Sequence, residues 1–284
     1  MIEYIIIAIL QGLFEWLPIS SSGQVMIFST TLFNISPEQA FSLAIWLHLG
    51  TTLAVIFKFR LDFFKIFKSF VPNLYEVDEI DIKKRNWLIY ATIGTAITAI
   101  PLYFLLKILI IVRFSAFQGD LITLVISGLL IVTGLILLKA KKLFGENVIS
   151  DIPKERILKD SFISGLIQGT SILPGISRSG ITVSTLIYEK YNQENALKLS
   201  FLMSVPVVIA SIGVDIIFGE GSVFGTLNLI TIFIITLISF IVGFFSIEIL
   251  LKIAKKVEFG YFCILYGIVT YAIVLPILII TSIT

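Results

Sequence analysis

Two short runs hold most of the reactive polar groups of an otherwise apolar chain: QGLFEWLPISSSGQ at 11–24 and PGISRSG at 174–180. Gln11 and Glu15 stand four residues apart, which puts both on one face of a helix, directed at the turn that Pro18 and the serines make. Ser20, Ser21, Ser22 and Gly23 read as that turn followed by a helix start, where serine hydroxyls cap unpaired amides and the helix N-terminus draws anions. The second run sets Arg178 between Ser177 and Ser179, flanked by Gly175 and Gly180. An arginine at membrane depth costs a few kcal/mol and calls for an anionic partner. Guanidinium geometry suits phosphate oxygens, and glycine-bearing turns bring backbone amides to the same group. The ligand these residues fit is a phosphate or diphosphate.

Blander readings stand beside this one. Taken singly, each serine or glycine is a packing residue between membrane helices, and Glu15 with Arg178 also admits an ion pair that cancels charge without chemistry. His48, the only histidine, sits in the apolar stretch WLHLG; a helix-to-helix hydrogen bond and a catalytic role are both open to it. Glu189, Asp215 and Glu248 read as interfacial or packing charges. Cys263 lies alone in an apolar run, so no disulfide framework or thiolate metal cluster can form.

The elements that position these runs follow from composition. Of the 284 residues 57% are apolar and 14% charged, against about 25% charged in soluble domains, and the mean hydropathy is +1.03. This is an all-α integral membrane protein. A net charge of +2, not arrayed on one helical face, argues against nucleic acid as a partner. The N-terminal apolar stretch has neither a basic flank nor a small-residue cleavage site and reads as a retained helix. Six runs approach the roughly 20 residues a bilayer crossing needs: 41–57, 87–106, 120–138, 199–218, 227–250 and 260–282. Two further apolar regions, 1–33 and 161–189, are broken midway by the motifs, and each half suffices for about half a membrane. They read as re-entrant helix pairs.

Charge agrees. The loops at 58–86, 139–160, 190–198 and 251–259 hold 7, 6, 2 and 3 Lys or Arg, while those at 34–40, 107–119 and 219–226 hold 0, 2 and 0. With both broken segments re-entrant, the positive-inside rule holds throughout and both termini lie outside the plasma membrane. Each half then has three spans and one broken segment, so residues 1–145 and 146–284 form two inverted-topology repeats of a single membrane domain. Letters repeat too: LQG at 10–12 returns as IQG at 167–169, and S-x-S-G closes both motifs at an offset of 157. Broken helices at matching positions of inverted repeats point to a midplane site, the two motifs facing one another.

These motifs resemble those of the undecaprenyl-diphosphatase family, the bacitracin-resistance membrane phosphatases. The first family motif is Glu or Gln, three residues, Glu, then a proline and a Ser-Ser-Thr/Ser-Gly-His run; the second, P-G-x-S-R-S-G, is present unchanged. The resemblance spans essentially the whole chain. It implies hydrolysis of a polyprenyl carrier-lipid diphosphate to the monophosphate, with a divalent metal such as Mg or Ca, at a site open to the outer face. It implies further that Glu15 and Gln11 hold metal or orient water, that Ser21 is the nucleophile with Ser20 and Ser22 beside it, and that Arg178, Ser177 and Ser179 grip the diphosphate. One position departs: Gln24 stands where the family has histidine, and glutamine cannot relay a proton. The acid/base work then falls to Glu15, to His48 or to metal-activated water. The departure also leaves open a polyprenyl-phosphate flippase or an inactive lipid-phosphate-binding relative. Sequence neither requires nor excludes a homodimer.

Overall fold

The computed structural model describes residues 1–17, 19–72, 75–113, 118–140, 145–218, 222–254 and 259–283. Pro18 of the first motif lies outside them, as do parts of the loops whose charges were counted above. Secondary structure among the described residues is helical, apart from an isolated bridge between Asn147 and Tyr191. The first half supplies α1 (Ile2–Phe14), α2 (Ser21–Ile27), α3 (Pro37–Lys58), α4 (Arg60–Lys68), α5 (Glu79–Arg113) and α6 (Gln118–Ala140). The second supplies α7 (Lys154–Gly169), α8 (Arg178–Tyr188), α9 (Gln193–Phe218), α10 (Val223–Thr226), α11 (Leu229–Ala254) and α12 (Phe259–Ile283).

Four segments are long and apolar enough to cross a membrane: Pro37–Lys58, Glu79–Leu106, Gln193–Phe218 and Leu229–Glu248. The runs at 120–138 and 260–282 fall within α6 and α12. Phe233, Leu237, Ile241 and Phe245, four apart along α11, are all exposed. An apolar stripe of that length suits lipid and not water.

The breaks have local causes. Ser20 caps α2 by accepting from the Gly23 amide, and Ser177 caps α8 by accepting from the Gly180 amide. Before α8 the chain leaves a short 3-10 turn, Thr170–Ile172, at Leu173, whose extended backbone (φ −72°, ψ 116°) is what a residue preceding proline adopts. By contrast α3 starts cleanly, with Ser36 accepting from the Gln39 amide and Pro37 in the first turn.

Packing exchanges partners between halves. Helix α1 lies against α11 and α7 against α5, while α6 pairs with α12 and α3 with α9. Backbones approach where residues are small: a Cβ on Gly94 would come within 2.5 Å of the Phe162 carbonyl oxygen, and one on Gly165 within 2.2 Å of the Ala91 oxygen. Close approach of this kind supplies much of the dispersion that holds helices together in lipid. The result brings the helix start of α2 and the turn before α8 side by side, with α2 packed on α3 and α8 on α9.

Candidate active site

Glu15 sits one residue past the end of α1, 4% exposed, and each of its oxygens is engaged. Oε2 accepts from Gln11 Nε2 at 2.7 Å and from Ser21 Oγ at 2.8 Å. Oε1 pairs with Arg178 Nη2. His48 Nε2 lies 3.3 Å from Oε2. The other ring nitrogen, Nδ1, is 2.5 Å from the Ala44 carbonyl oxygen one turn back in α3, which assigns the Nδ1 hydrogen to that bond. Nε2 therefore faces the Glu15 carboxylate oxygen.

The motifs are tied to each other as well as to Glu15. Ser20 Oγ accepts from the Gly175 amide at 3.0 Å, so one hydroxyl caps α2 and anchors the second turn. Ser179 Oγ donates to the Leu17 carbonyl at 3.5 Å and lies 3.3 Å from Ser177 Oγ. Gly175 has φ +104°, a conformation that L side chains rarely adopt, and a Cβ there would fall 2.4 Å from the Ile126 carbonyl oxygen. Ser20 itself takes φ 59°, so both turns hold backbone in the left-handed region.

Glu15, Ser20, Ser21, Ser22, His48, Ser177, Arg178 and Ser179 line one cavity of about 90 Å³. Gly23 and Gly180 contribute as the capped amides at the two helix starts. Gln24 is placed differently from these. It is buried, with Nε2 toward the Ile19 carbonyl at 3.5 Å, and it is not among the lining residues.

Two buried atoms in the cavity wall have no protein partner, Arg178 Nη1 and Gln168 Oε1, and Gln11 Oε1 behind them has none either. A guanidinium nitrogen left unpaired in a cavity wall that also carries serines is a donor suited to an acceptor with several oxygens. Sequence reasoning passed over Gln168. It is 1% exposed, and its Nε2 donates to Thr95 Oγ1 at 3.2 Å. The signal was there: Gln168 follows Gln11 by the same 157 residues that separate the motifs.

Among the described residues, no group of three His, Cys, Asp or Glu stands ready to hold a metal. The oxygen donors that fit a hard cation are Glu15 and the free Oε1 of Gln11. That set fits an ion bound through one carboxylate, its own waters and substrate phosphates, as Mg²⁺ commonly is.

Helices of membrane-crossing length around a buried polar cavity make this a multi-pass membrane protein. The family model described as bacitracin resistance protein BacA matches residues 4–271, and the chain belongs to that family. It is 38% identical over 274 residues to a protein of Methanococcoides burtonii named undecaprenyl-diphosphatase, covering 94% of this chain and 96% of that one. Proteins of the same name from Methanothrix thermoacetophila and Haloarcula marismortui are 35% and 31% identical, covering 96% and 93% of each chain respectively.

Proposed function

We propose that this protein is a membrane diphosphatase that hydrolyses a polyprenyl diphosphate of the undecaprenyl type to the monophosphate and inorganic phosphate, returning carrier lipid to envelope or glycan assembly. The observation that carries this reading is the convergence of a hydroxyl, a carboxylate, an imidazole and a half-free guanidinium in one buried cavity. The names of the relatives support the same substrate.

In the proposed mechanism the terminal phosphate sits between Arg178 and the helix start of α2. Nη1 neutralises charge on its equatorial oxygens, and electrostatic stabilisation of that kind is the main source of rate in phosphoryl transfer. Ser21 Oγ attacks the terminal phosphorus while its proton passes to Glu15 Oε2, and the bond to the bridging oxygen breaks, releasing polyprenyl monophosphate. Water then attacks the phosphoserine, its proton is taken up by the Glu15 and His48 pair, and Ser21 regains a hydrogen. His48 thereby supplies what Gln24 cannot, a titratable nitrogen against the base. Glu15 and Gln11 would hold a divalent ion; when bound, such an ion adds charge stabilisation at the diphosphate.

The cavity's setting fits six spans, two re-entrant pairs and inverted repeats in the plasma membrane with both termini outside. The exchange of packing partners between halves supports this, as does irregular backbone at Leu17 and Ser20 and at Leu173–Ser177 placed where it lines a cavity.

The test is phosphate release from a long-chain polyprenyl diphosphate by detergent-purified protein, with and without Mg²⁺ or Ca²⁺, beside Glu15→Ala and Arg178→Ala. The proposal expects metal-dependent release that each substitution lowers by at least 100-fold. Wild-type protein that releases none, with or without metal, overturns it.

A further inference from the structure

Helix α4 contributes nothing to the active-site cavity. Of its nine residues, RLDFFKIFK, Ile66 is buried and Phe63 packs against the cluster of Trp16, Phe201 and Ile247. The other apolar side chains are left on the surface: Leu61, Phe64 and Phe67 are each more than half exposed, as is Phe70 just past the helix end. Standing three apart, they follow one side of the helix. Nine residues span about 14 Å, too little to cross a bilayer, and Phe59 (φ −104°, ψ 26°) breaks α4 from α3.

Charge says what covers that face. Arg60, Lys65 and Lys68 fall on the same side of the helix as Leu61 and Phe64, and none of the three pairs with a carboxylate among the described residues. Asp62, the one acid of the helix, is taken by Lys84 of α5 at 2.7 Å and Lys198 of α9 at 2.9 Å. Lys68 Nζ sits 4.6 Å from the centre of the Phe64 ring and 5.0 Å from that of Tyr75, and Arg60 donates to the Phe57 carbonyl at 3.2 Å. Both cationic heads are thus held against the apolar surface. Water over this face would leave the aromatic rings unburied, and a second copy of the same face would bring like charges together. A leaflet with anionic headgroups meets both needs, hydrocarbon for the rings and phosphates for the cations.

We propose that α4 lies in the membrane plane at the boundary of hydrocarbon and headgroups and selects anionic phospholipid, with Leu61, Phe64 and Phe67 among the acyl chains and Arg60, Lys65 and Lys68 against the phosphates. The leaflet is the cytoplasmic one on the topology proposed above, in which the 58–86 loop carries 7 Lys or Arg. That leaflet is also the one rich in anionic lipid. The Asp62 pairs hold the helix to α5 and α9, so its exposed face meets the lipid at a fixed depth.

The test places an indole on the exposed face, Phe64→Trp, in full-length protein reconstituted into phosphatidylcholine bilayers. A small fraction of the lipid, either phosphatidylglycerol or phosphatidylcholine, is brominated along its acyl chains. The wild-type signal is subtracted, since Trp16, Trp46 and Trp87 are common to both proteins. We expect brominated phosphatidylglycerol to quench the introduced indole at about one fifth or less of the mole fraction that brominated phosphatidylcholine needs. That preference should shrink to within about twofold in about 0.5 M salt, and likewise when Arg60→Gln, Lys65→Gln and Lys68→Gln are combined. Equal quenching by the two lipids at low salt overturns the selection. No quenching by either overturns the membrane seat and leaves water or a second copy of the chain on that face. A preference that outlasts either treatment also refutes the proposal, because the charges responsible then lie elsewhere. The salt arm needs no charge variant, and the same lipid in both leaflets makes the readout independent of topology and of turnover.

Discussion

Glu15 Oε2 is the most crowded atom of the site, with Gln11, Ser21 and His48 all within 3.3 Å. That crowding distributes the work: Gln11 and His48 hold the carboxylate still, and Ser21 is the member that can leave with a substrate bond. Arg178 completes the set from the opposite oxygen, with Nη1 in reserve. Lysine at 178 would keep the charge and lose the fork, so Arg178→Lys is expected to lower kcat by about 100-fold or more, read from steady-state phosphate release. Ser20 is structural in the same neighbourhood. Its hydroxyl joins the Gly23 and Gly175 amides, and Ser20→Ala is expected to cost about 1–3 kcal/mol by leaving a buried amide unpaired, measured by thermal unfolding in detergent.

The helices make those contacts possible through close packing and short breaks. On the α5–α7 contact, Gly94→Val puts methyl groups into the Phe162 carbonyl; a loss of about 1–3 kcal/mol or more is expected, again by thermal unfolding. Where α8 ends, Glu189 sits at a helix C-terminus, an unfavourable place for a negative charge. Ser164 donates to its Oε2 at 3.2 Å, its Oε1 has no partner, and Arg156 Nε and the Tyr191 hydroxyl go to Asp160 instead. Burial, and next the charge of Asp160, push Glu189 up to about 8. A carboxyl held protonated in the fold but ionised in the unfolded chain costs stability as pH rises from the ordinary glutamate range toward 8. Melting temperature should therefore fall between pH 5 and pH 8, and Glu189→Gln should flatten that decline by removing the titration. At Asp62 burial raises the carboxyl, but hydrogen bonds from Lys84 and Lys198 outweigh it and hold it below the ordinary range. That stability is present above the unfolded pKa and fades only as pH falls below it, so the two groups act in separate windows.

How much of this was legible in the chain depends on whether the information was local. Serine caps, proline breaks and the pairing of Gln11 with Glu15 are local, and they were readable from spacing alone. The facing of the two motifs was readable because a repeat at fixed offset implies symmetry-related positions. The nearness of His48 to Glu15 was not, since it depends on how α3 rotates against the first break, and hydropathy does not encode that rotation when the helix is apolar on every side. Gln168 escaped because it lies a turn before its motif, and Glu189 because its setting arises only when the fold gives Arg156 Nε and the Tyr191 hydroxyl to Asp160 and leaves Glu189 with Ser164. At the scale of the whole molecule, two halves exchanging packing partners build a site neither half contains. Glu15, Ser21 and His48 come from one half and Arg178 from the other, so the halves must close on each other before the site exists.

The proposed hydrolysis places His48 against the base Glu15 and leaves Gln24 outside the cavity. The most direct measurement is phosphate release from a long-chain polyprenyl diphosphate by wild-type protein beside His48→Ala and Gln24→Ala, each checked for folding. The prediction is turnover in wild type, a fall of about 10²–10⁴-fold in His48→Ala, as for loss of a general acid or base, and activity within about threefold of wild type in Gln24→Ala. Full activity in His48→Ala, or wild-type protein that binds the lipid head group through Arg178 without releasing phosphate, would contradict it.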